Sequence, residues 1–286
     1  MTDAGPASVR GTRELFDLTG RRAVVTGGAG LLGRRFASAL VDLGAITHVL
    51  DRDADAAAKA AGELAGTGEP AGAGTAVAVA CDITDEADVD RAIGEIAAGG
   101  PIDILVNSAA VDPKAEAGAT TLADGGFAEY PVEAWRRSMD VNLTGTFLVT
   151  RAVCRVMERH GTAGTIVNIS STYGLAGPDQ RIYERSDGTR SFKPVDYSVT
   201  KAGVLGFTRA LAAHYAGTGV RVNALTPGGA YNEHDDEFVA AYSARTMLGR
   251  MARPDEYRGA IAFLCSDASS YMTGANLIVD GGWTAW

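Results

Sequence analysis

The sequence predicts an α/β fold, a parallel sheet with helices on both faces, and three observations carry that expectation. Apolar runs of strand length alternate with helix-like stretches along the whole chain. Those runs are nearly continuous in Val, Ile, Leu and Ala, the pattern of strands buried on both sides. A glycine-rich turn, TGGAGLLG at 26–33, joins the first run to the first helical stretch.

The strand candidates in chain order are 22–26 (RAVVT), 46–50 (ITHVL), 75–80 (TAVAVA), 102–106 (IDILV), 164–169 (GTIVNI), 219–225 (GVRVNAL) and 276–280 (NLIVD). Helical stretches are expected near 31–43, 54–66, 85–98, 132–160, 197–216 and 254–266. The Ala/Gly-rich stretch 56–74 is simple in composition but holds helix formers between two strand candidates, so it reads as a helix and loop of the same unit. No repeat of solenoid period appears. Sheets of this kind bind ligands at the carboxyl ends of their strands.

A chain of 286 residues is ordinary for one such domain. The expected organisation is an N-terminal tail over 1–17, which has no apolar signal core, then a single domain over 18–286. Long connections at 108–131, 172–194 and 229–250 are expected to be active-site loops. A net charge of −9 gives no general attraction to nucleic acid or anionic membrane. No apolar run approaches the roughly 18 residues of a spanning helix. Cys81, Cys154 and Cys265 form no paired or metal-ligand spacing, which fits a reducing cytoplasm.

At the nucleotide end, Gly28, Gly30 and Gly33 match G-x-G-x-x-G between a strand and a helix. A phosphate approaching the N–H groups at a helix N-terminus needs backbone without a Cβ in the way. Asp51 ends the second strand, placed to accept hydrogen bonds from ribose hydroxyls and to repel a 2′-phosphate. NAD is therefore the expected cofactor. NADP is the alternative, because the neighbouring Arg52 can clamp a 2′-phosphate. As a plain structural residue, Asp51 would cap the following helix. Asp82, after the third strand, suits either the adenine amino group or a turn.

At the chemical end, Tyr197 and Lys201 in YSVTK stand at i and i+4 and share a helix face. An ammonium beside a phenol stabilises the phenolate and makes the pair a proton-transfer device. A Ser pair, Ser170 and Ser171, closes the run IVNISS, which places Ser171 to hydrogen-bond a substrate oxygen. Asn142 in VNLTG falls inside a helix, where Asn is locally unfavourable; a satisfied contact between helices is its plain structural reading.

The set TGGAGLLG, NSAA (107–110), VNLTG, IVNISSTYG, YSVTK, RVNALTPGG and TGANLIVDGGW resembles the short-chain dehydrogenase/reductase family from about residue 18 onward. The resemblance implies a seven-stranded, doubly wound Rossmann sheet and a catalytic tetrad of Asn142, Ser171, Tyr197 and Lys201. In the family the Lys also holds the nicotinamide ribose and the Asn anchors a proton-relay water. The resemblance implies a dinucleotide lined by Gly27, Gly28, Gly30, Leu32, Gly33, Asp51, Arg52, Asp82 and Ile83. Asn107 and Ala109 fall on its adenosine-ribose side, and Pro227, Gly228 and the Ala230 backbone beside the nicotinamide. It implies a homotetramer or homodimer. Three departures stand out: Leu31 replaces the usual glycine two before Gly33, NSAA replaces NNAG, and a polar insertion separates Ser171 from Tyr197 by 26 positions.

The loop 177–194 carries Arg181, Arg185, Arg190 and Lys193, and the first long loop adds Lys114. Such cations beside a cleft suit a polar, sugar-like or phosphorylated substrate, though Glu184 and Asp187 dilute them. DPK (112–114) and FKPVDYSVTK also resemble oxidoreductases encoded with bacterial sugar-modification pathways. The run NEHDDE offers His234, Asp235 and Glu237 to a metal, but acids favour a helix's first turn, and no metal is expected. The expected activity is NAD(P)-dependent interconversion of an alcohol and a ketone, on a small-molecule substrate. An epimerase or dehydratase of sugar nucleotides and a non-catalytic dinucleotide-binding protein are the alternatives.

Overall fold

Seven parallel strands form one sheet in the order β3-β2-β1-β4-β5-β6-β7. They are β1 (Arg22–Thr26), β2 (Ile46–Asp51), β3 (Thr75–Ala80), β4 (Ile104–Asn107), β5 (Thr165–Ile169), β6 (Arg221–Pro227) and β7 (Asn276–Val279). All seven fall within a few residues of the expected runs. The computed structural model describes residues 10–65, 74–112, 127–188 and 191–286.

The helices are α1 (Leu31–Asp42), α2 (Ala54–Ala65), α3 (Glu86–Ala97), α4 (Val132–Met139), α5 (Thr146–His160), α6 (Val195–His214), α7 (Asp236–Ser243) and α8 (Arg258–Cys265). Successive strand residues point to opposite faces, so the sheet builds two cores. Ala23 and Val25 join Phe36 and Leu40 of α1, Ala57 and Ala60 of α2, and Ile261 and Leu264 of α8. Val24, between them on the same strand, joins Val89 and Ile93 of α3, Val149 and Val153 of α5, and Ala212 of α6.

Local signals set several boundaries. The Asp85 carboxylate accepts from the Ala87 and Asp88 N–H groups and starts α3. Gly161, at φ 63°, ends α5. The expected helix 132–160 is not uniform, since residues Asp140–Gly145 form a π-helical turn between α4 and α5. That turn holds Asn142, whose side chain suits a regular helix interior poorly. α7 grows from the acidic run after β6, with the Asp235 carboxylate accepting from the Phe238 N–H.

Because β2 and β4 flank β1, the connections leaving β1 and β4 run to opposite sides of the sheet. The crevice opened at their carboxyl ends is the ligand position of a doubly wound fold. Among the described residues, no helix is long and apolar enough to cross a membrane.

Candidate active site

A cleft of about 1070 Å³ runs along the carboxyl ends of the strands. That is the upper end of the usual range for ligand pockets, roughly 300–1,000 Å³. One end is lined by the glycine turn, Asp51 and Asp82, the other by Ser171, Tyr197 and Lys201.

The glycine end is a backbone cradle. Gly27 has φ 60°, and a Cβ there would lie 2.7 Å from Ala109 Cα. The loops after β1 and β4 thus touch main chain to main chain. The Thr26 hydroxyl reinforces that seam by accepting from the Ser108 and Ala109 N–H groups at 3.0 and 3.1 Å. α1 begins at Leu31 behind Gly30, and Gly30, Leu31, Leu32 and Gly33 all face the cleft. The unpaired N–H groups of a helix's first turn suit a pyrophosphate.

Asp51 and Arg52 line the cleft at the end of β2. One Asp51 oxygen accepts from the Ala29 N–H at 3.2 Å, so the carboxylate braces the glycine turn. The Asp82 carboxylate accepts from the Thr84 N–H and hydroxyl at 2.9 and 2.7 Å. Those bonds hold its pKa below the usual carboxylate value. Asp82 is therefore a turn former that also faces the cleft, beside Ile83. A glycine-rich backbone cradle, a helix N-terminus and the Asp51 carboxylate in one cleft fit a nicotinamide dinucleotide.

Two of the expected lining residues lie behind that wall. Gly28 is buried under β2, where a Cβ would meet Val49 at 2.9 Å. Asn107 turns its amide inward, donating to Thr150 Oγ1 and Asn168 Oδ1, each at 2.8 Å. It ties β4 to β5 and α5 beneath the cleft instead of presenting its side chain to a ligand. Ala109, Pro227, Gly228 and Ala230 all line the cavity.

At the chemical end, α6 carries Tyr197 and Lys201 on one face, as their spacing requires. Lys201 is 4 % exposed. Its Nζ donates to the Ile169 carbonyl at 2.9 Å and stands 5.8 Å from the Tyr197 ring centroid. Burial lowers the Lys201 pKa to about 8, with Asp112 opposing and Lys193 adding to the shift. Burial raises the Tyr197 pKa, Asp112 raises it further, and the Ser171 hydroxyl lowers it. Lys201 is not among the groups that set the Tyr197 shift, which desolvation of the partly buried ring dominates.

Ser171 follows β5 and caps a short 3₁₀ turn, accepting from the Tyr173 N–H at 3.2 Å. Ser170, also on the cleft wall, donates its hydroxyl to the Lys201 carbonyl at 2.8 Å, locking the strand end to α6. Asn142 does not line the cleft. Its Oδ1 accepts from the Val111 N–H at 2.8 Å, while its Nδ2 donates to the Val111 carbonyl and Thr200 Oγ1, each at 3.1 Å. This is the satisfied polar contact that its sequence position allowed, and it fixes the β4 loop against α6.

The basic loop is divided. Arg181 pairs with Asp179, and Arg185 with Asp235. Neither arginine lines the cleft. Lys193 does, paired with Asp112 and 4.1 Å from the Tyr197 ring centroid. Arg190 and Lys114 lie outside the described residues. Asp235 and Glu237 are engaged in capping α7 and in accepting from the Ser186 N–H. The substrate side also contains Tyr173, Tyr183, Phe238 and Tyr242, none of which local motifs single out. Their signal in the sequence is only that they fall in or beside the two long connections.

The family described as "Enoyl-(Acyl carrier protein) reductase" matches residues 28–284. The chain is 38 % identical over 280 residues to a galactitol 2-dehydrogenase (L-tagatose-forming) of Cereibacter sphaeroides, covering 96 % of this chain and 99 % of that protein. It is 36 % identical to a D-threitol dehydrogenase of Mycolicibacterium smegmatis, covering 94 % and 95 %. Its fold matches a gluconate 5-dehydrogenase from Burkholderia cenocepacia, solved in complex with NADP and tartrate. That match has a TM-score of 0.80 at 32 % identity and covers 96 % of this chain and all of the other. With a dinucleotide cradle at one end of the cleft and a Ser–Tyr–Lys cluster at the other, the chain belongs to the short-chain dehydrogenase/reductase family and is an NAD(P)-dependent oxidoreductase of alcohols and ketones.

Proposed function

We propose that this protein interconverts a secondary alcohol and its ketone on a neutral, hydroxylated small molecule, with NAD preferred over NADP. The observation that carries the reading is the meeting of Ser171, Tyr197 and Lys201 at the far end of the cleft whose near end is Asp51. The substrate class is supported by relatives named for galactitol and D-threitol, both polyols. The NAD preference is supported by the Asp51 carboxylate, which lines the cleft at the end of β2, where it would repel a 2′-phosphate.

A bound nicotinamide supplies or accepts the hydride. The protein's own groups handle the proton and the oxygen. Ser171 and Tyr197 hold the substrate oxygen between two hydroxyls, and Tyr197 donates its proton to that oxygen in reduction and takes it back in oxidation. Lys201, fixed on the Ile169 carbonyl, offers a cation to the phenolate left behind. Asn142 completes the group of four by holding the Val111 segment and Thr200 in register, which keeps the proton route and α6 aligned.

In the same reading residues 18–286 act as one dinucleotide-binding and catalytic unit, in the cytoplasm, as a homotetramer or homodimer. Exposed Phe147 on α5 and Val199 on α6 support the assembly. The buried, unpaired Cys81, Cys154 and Cys265 support the compartment.

The test is a panel of polyols, cyclic secondary alcohols, sugar phosphates and enoyl thioesters with NAD or NADP, followed by absorbance of the reduced cofactor. Oxidation of neutral polyols, faster with NAD, is the expected result. Reduction of the enoyl thioester alone, or no turnover of any alcohol by protein that binds NADH, overturns the reading.

A further inference from the structure

Lys193 and Asp112 are 81 positions apart, yet they form an ion pair on the wall of the cleft beside Tyr197. The Lys193 side chain is only 12 % exposed, and that of Asp112 is 43 % exposed. The lysine is held by its backbone as well. Its N–H donates to Gln180 Oε1 at 2.8 Å, and Gln180 Nε2 donates to its carbonyl at 3.1 Å. Its ammonium lies 4.1 Å from the Tyr197 ring centroid and 5.8 Å from that of Tyr173. The Tyr173 hydroxyl meets that of Tyr183 at 3.1 Å, which extends the aromatic wall.

An ammonium, a carboxylate and flat aromatic faces have a specific use together. The ammonium only donates and the carboxylate only accepts, whereas an alcohol does both. A hydroxyl inserted at the pair can therefore bond to each partner without leaving either charge bare. The C–H faces of the same molecule pack on the rings. A carboxylate or phosphate placed there would meet Asp112 as a like charge, and Lys193 is already neutralised. Vicinal hydroxyls stand about one hydrogen-bond length apart, so a carbinol held by Tyr197 and Ser171 brings its neighbour within reach of Lys193.

Resting on the alcohol–ketone reading above, we propose that Asp112 and Lys193 form a subsite for the hydroxyl vicinal to the reacting carbon, making the enzyme selective for neutral vicinal diols over simple alcohols and over anions. The pair sets specificity, and the proton transfer itself belongs to Tyr197.

The experiment compares matched alcohols with NAD and with NADP: 2,3-butanediol against 2-butanol, and cyclohexane-1,2-diol against cyclohexanol, with 3-hydroxybutyrate as the anionic member. Wild type, Asp112→Asn and Lys193→Met are assayed after NADH fluorescence titration has shown that each binds dinucleotide. A hydrogen bond to a charged group supports a diol preference in kcat/KM of about 10- to 100-fold in wild type. Each substitution is expected to lower the diol's kcat/KM by about that factor more than the simple alcohol's. Equal wild-type rates for diol and simple alcohol overturn the subsite alone, as does a preference that survives both substitutions. Preference for 3-hydroxybutyrate, lost in Lys193→Met, replaces it with an anion site. Failure of every alcohol with an NADH-binding protein removes the alcohol–ketone reading, and the subsite with it.

Discussion

The Lys201 ammonium donates to the Ile169 carbonyl, 2.9 Å away at the end of β5, while standing 5.8 Å from the Tyr197 ring centroid. The strand end thereby fixes the ammonium near Tyr197. One carbonyl does not replace the water removed from an ammonium, and burial lowers the Lys201 pKa from 10.5 to about 8. Below about pH 8 both folded and unfolded chains carry the proton, and the folded state bears the full cost of burying it. Between about 8 and 10.5 the unfolded chain binds more protons, so this residue's contribution to stability improves as pH rises. Lys201→Met removes the effect. Its unfolding free energy relative to wild type is expected to drop by ~3 kcal/mol as pH is raised across that window. Urea unfolding of both proteins at pH 7, 8, 9 and 10 measures it, and a constant difference would show that Lys201 is not strained by burial.

Tyr197 shows the opposite displacement. Burial and Asp112 push its phenol up, so the ring stays protonated at neutral pH and carries a proton to give. Tyr197→Phe deletes the transferable proton and leaves the glycine cradle and Asp51 untouched. Turnover is expected to fall about 10²- to 10⁴-fold, the usual worth of a positioned acid–base group. NADH affinity, read by fluorescence titration, should stay within a few-fold of wild type. A variant with more than a tenth of wild-type turnover would move the proton role to another residue.

Much of this site was legible because its parts are local in the chain. Tyr197 and Lys201 share a helix face by spacing alone, and the 26–33 turn announces itself by glycines between an apolar run and a helix. What escaped depends on contacts between distant segments. Asn107 opens the NSAA run that pointed to the cleft, but it is the last residue of β4 and its amide found buried partners on α5 and β5. Arg181 and Arg185 looked available to a ligand until folding set them beside Asp179 and Asp235. Lys193 kept its place at the cleft, yet its partner Asp112 belongs to another loop altogether. Spacing predicts which residues share an element, and side-chain direction in loops is decided by tertiary packing.

Asp51 should control the choice of cofactor. Its carboxylate lines the cleft and is fixed by the Ala29 N–H at 3.2 Å, so it cannot readily swing away from a phosphate. Repulsion between close unit charges near a protein surface is worth several kcal/mol, or about 10²-fold in affinity. Asp51→Ser keeps an acceptor for the Ala29 N–H and removes the charge, leaving Arg52 to attract a 2′-phosphate. The ratio of kcat/KM for NAD to that for NADP is expected to fall by about 10²-fold, with NADP gaining in absolute terms. Steady-state kinetics with both cofactors at fixed alcohol decides it; an unchanged ratio would mean that the 2′ position lies elsewhere.

Gly33 and Gly30 of the turn should separate by variant. A Cβ on Gly33 would stand 2.1 Å from the Gly27 carbonyl oxygen, which is main chain and has no rotamer in which to retreat. Gly33 is thus the contact that lets α1 press against the turn, and Gly33→Ala forces the two apart. A loss of about 3 kcal/mol or more in unfolding free energy is expected, at the upper end for overpacking. Gly30 has an extended backbone, φ −71° and ψ 172°, and faces the cleft. Its added Cβ meets only the Gly27 oxygen, at 3.1 Å. Gly30→Ala is expected to unfold within about 1 kcal/mol of wild type, a surface-like cost, while its NADH affinity drops as the methyl group enters the dinucleotide's side of the cleft. Thermal melts and NADH titration on the two variants distinguish a packing glycine from a ligand-facing one. Equal melting temperatures for both would refute the assignment of Gly33.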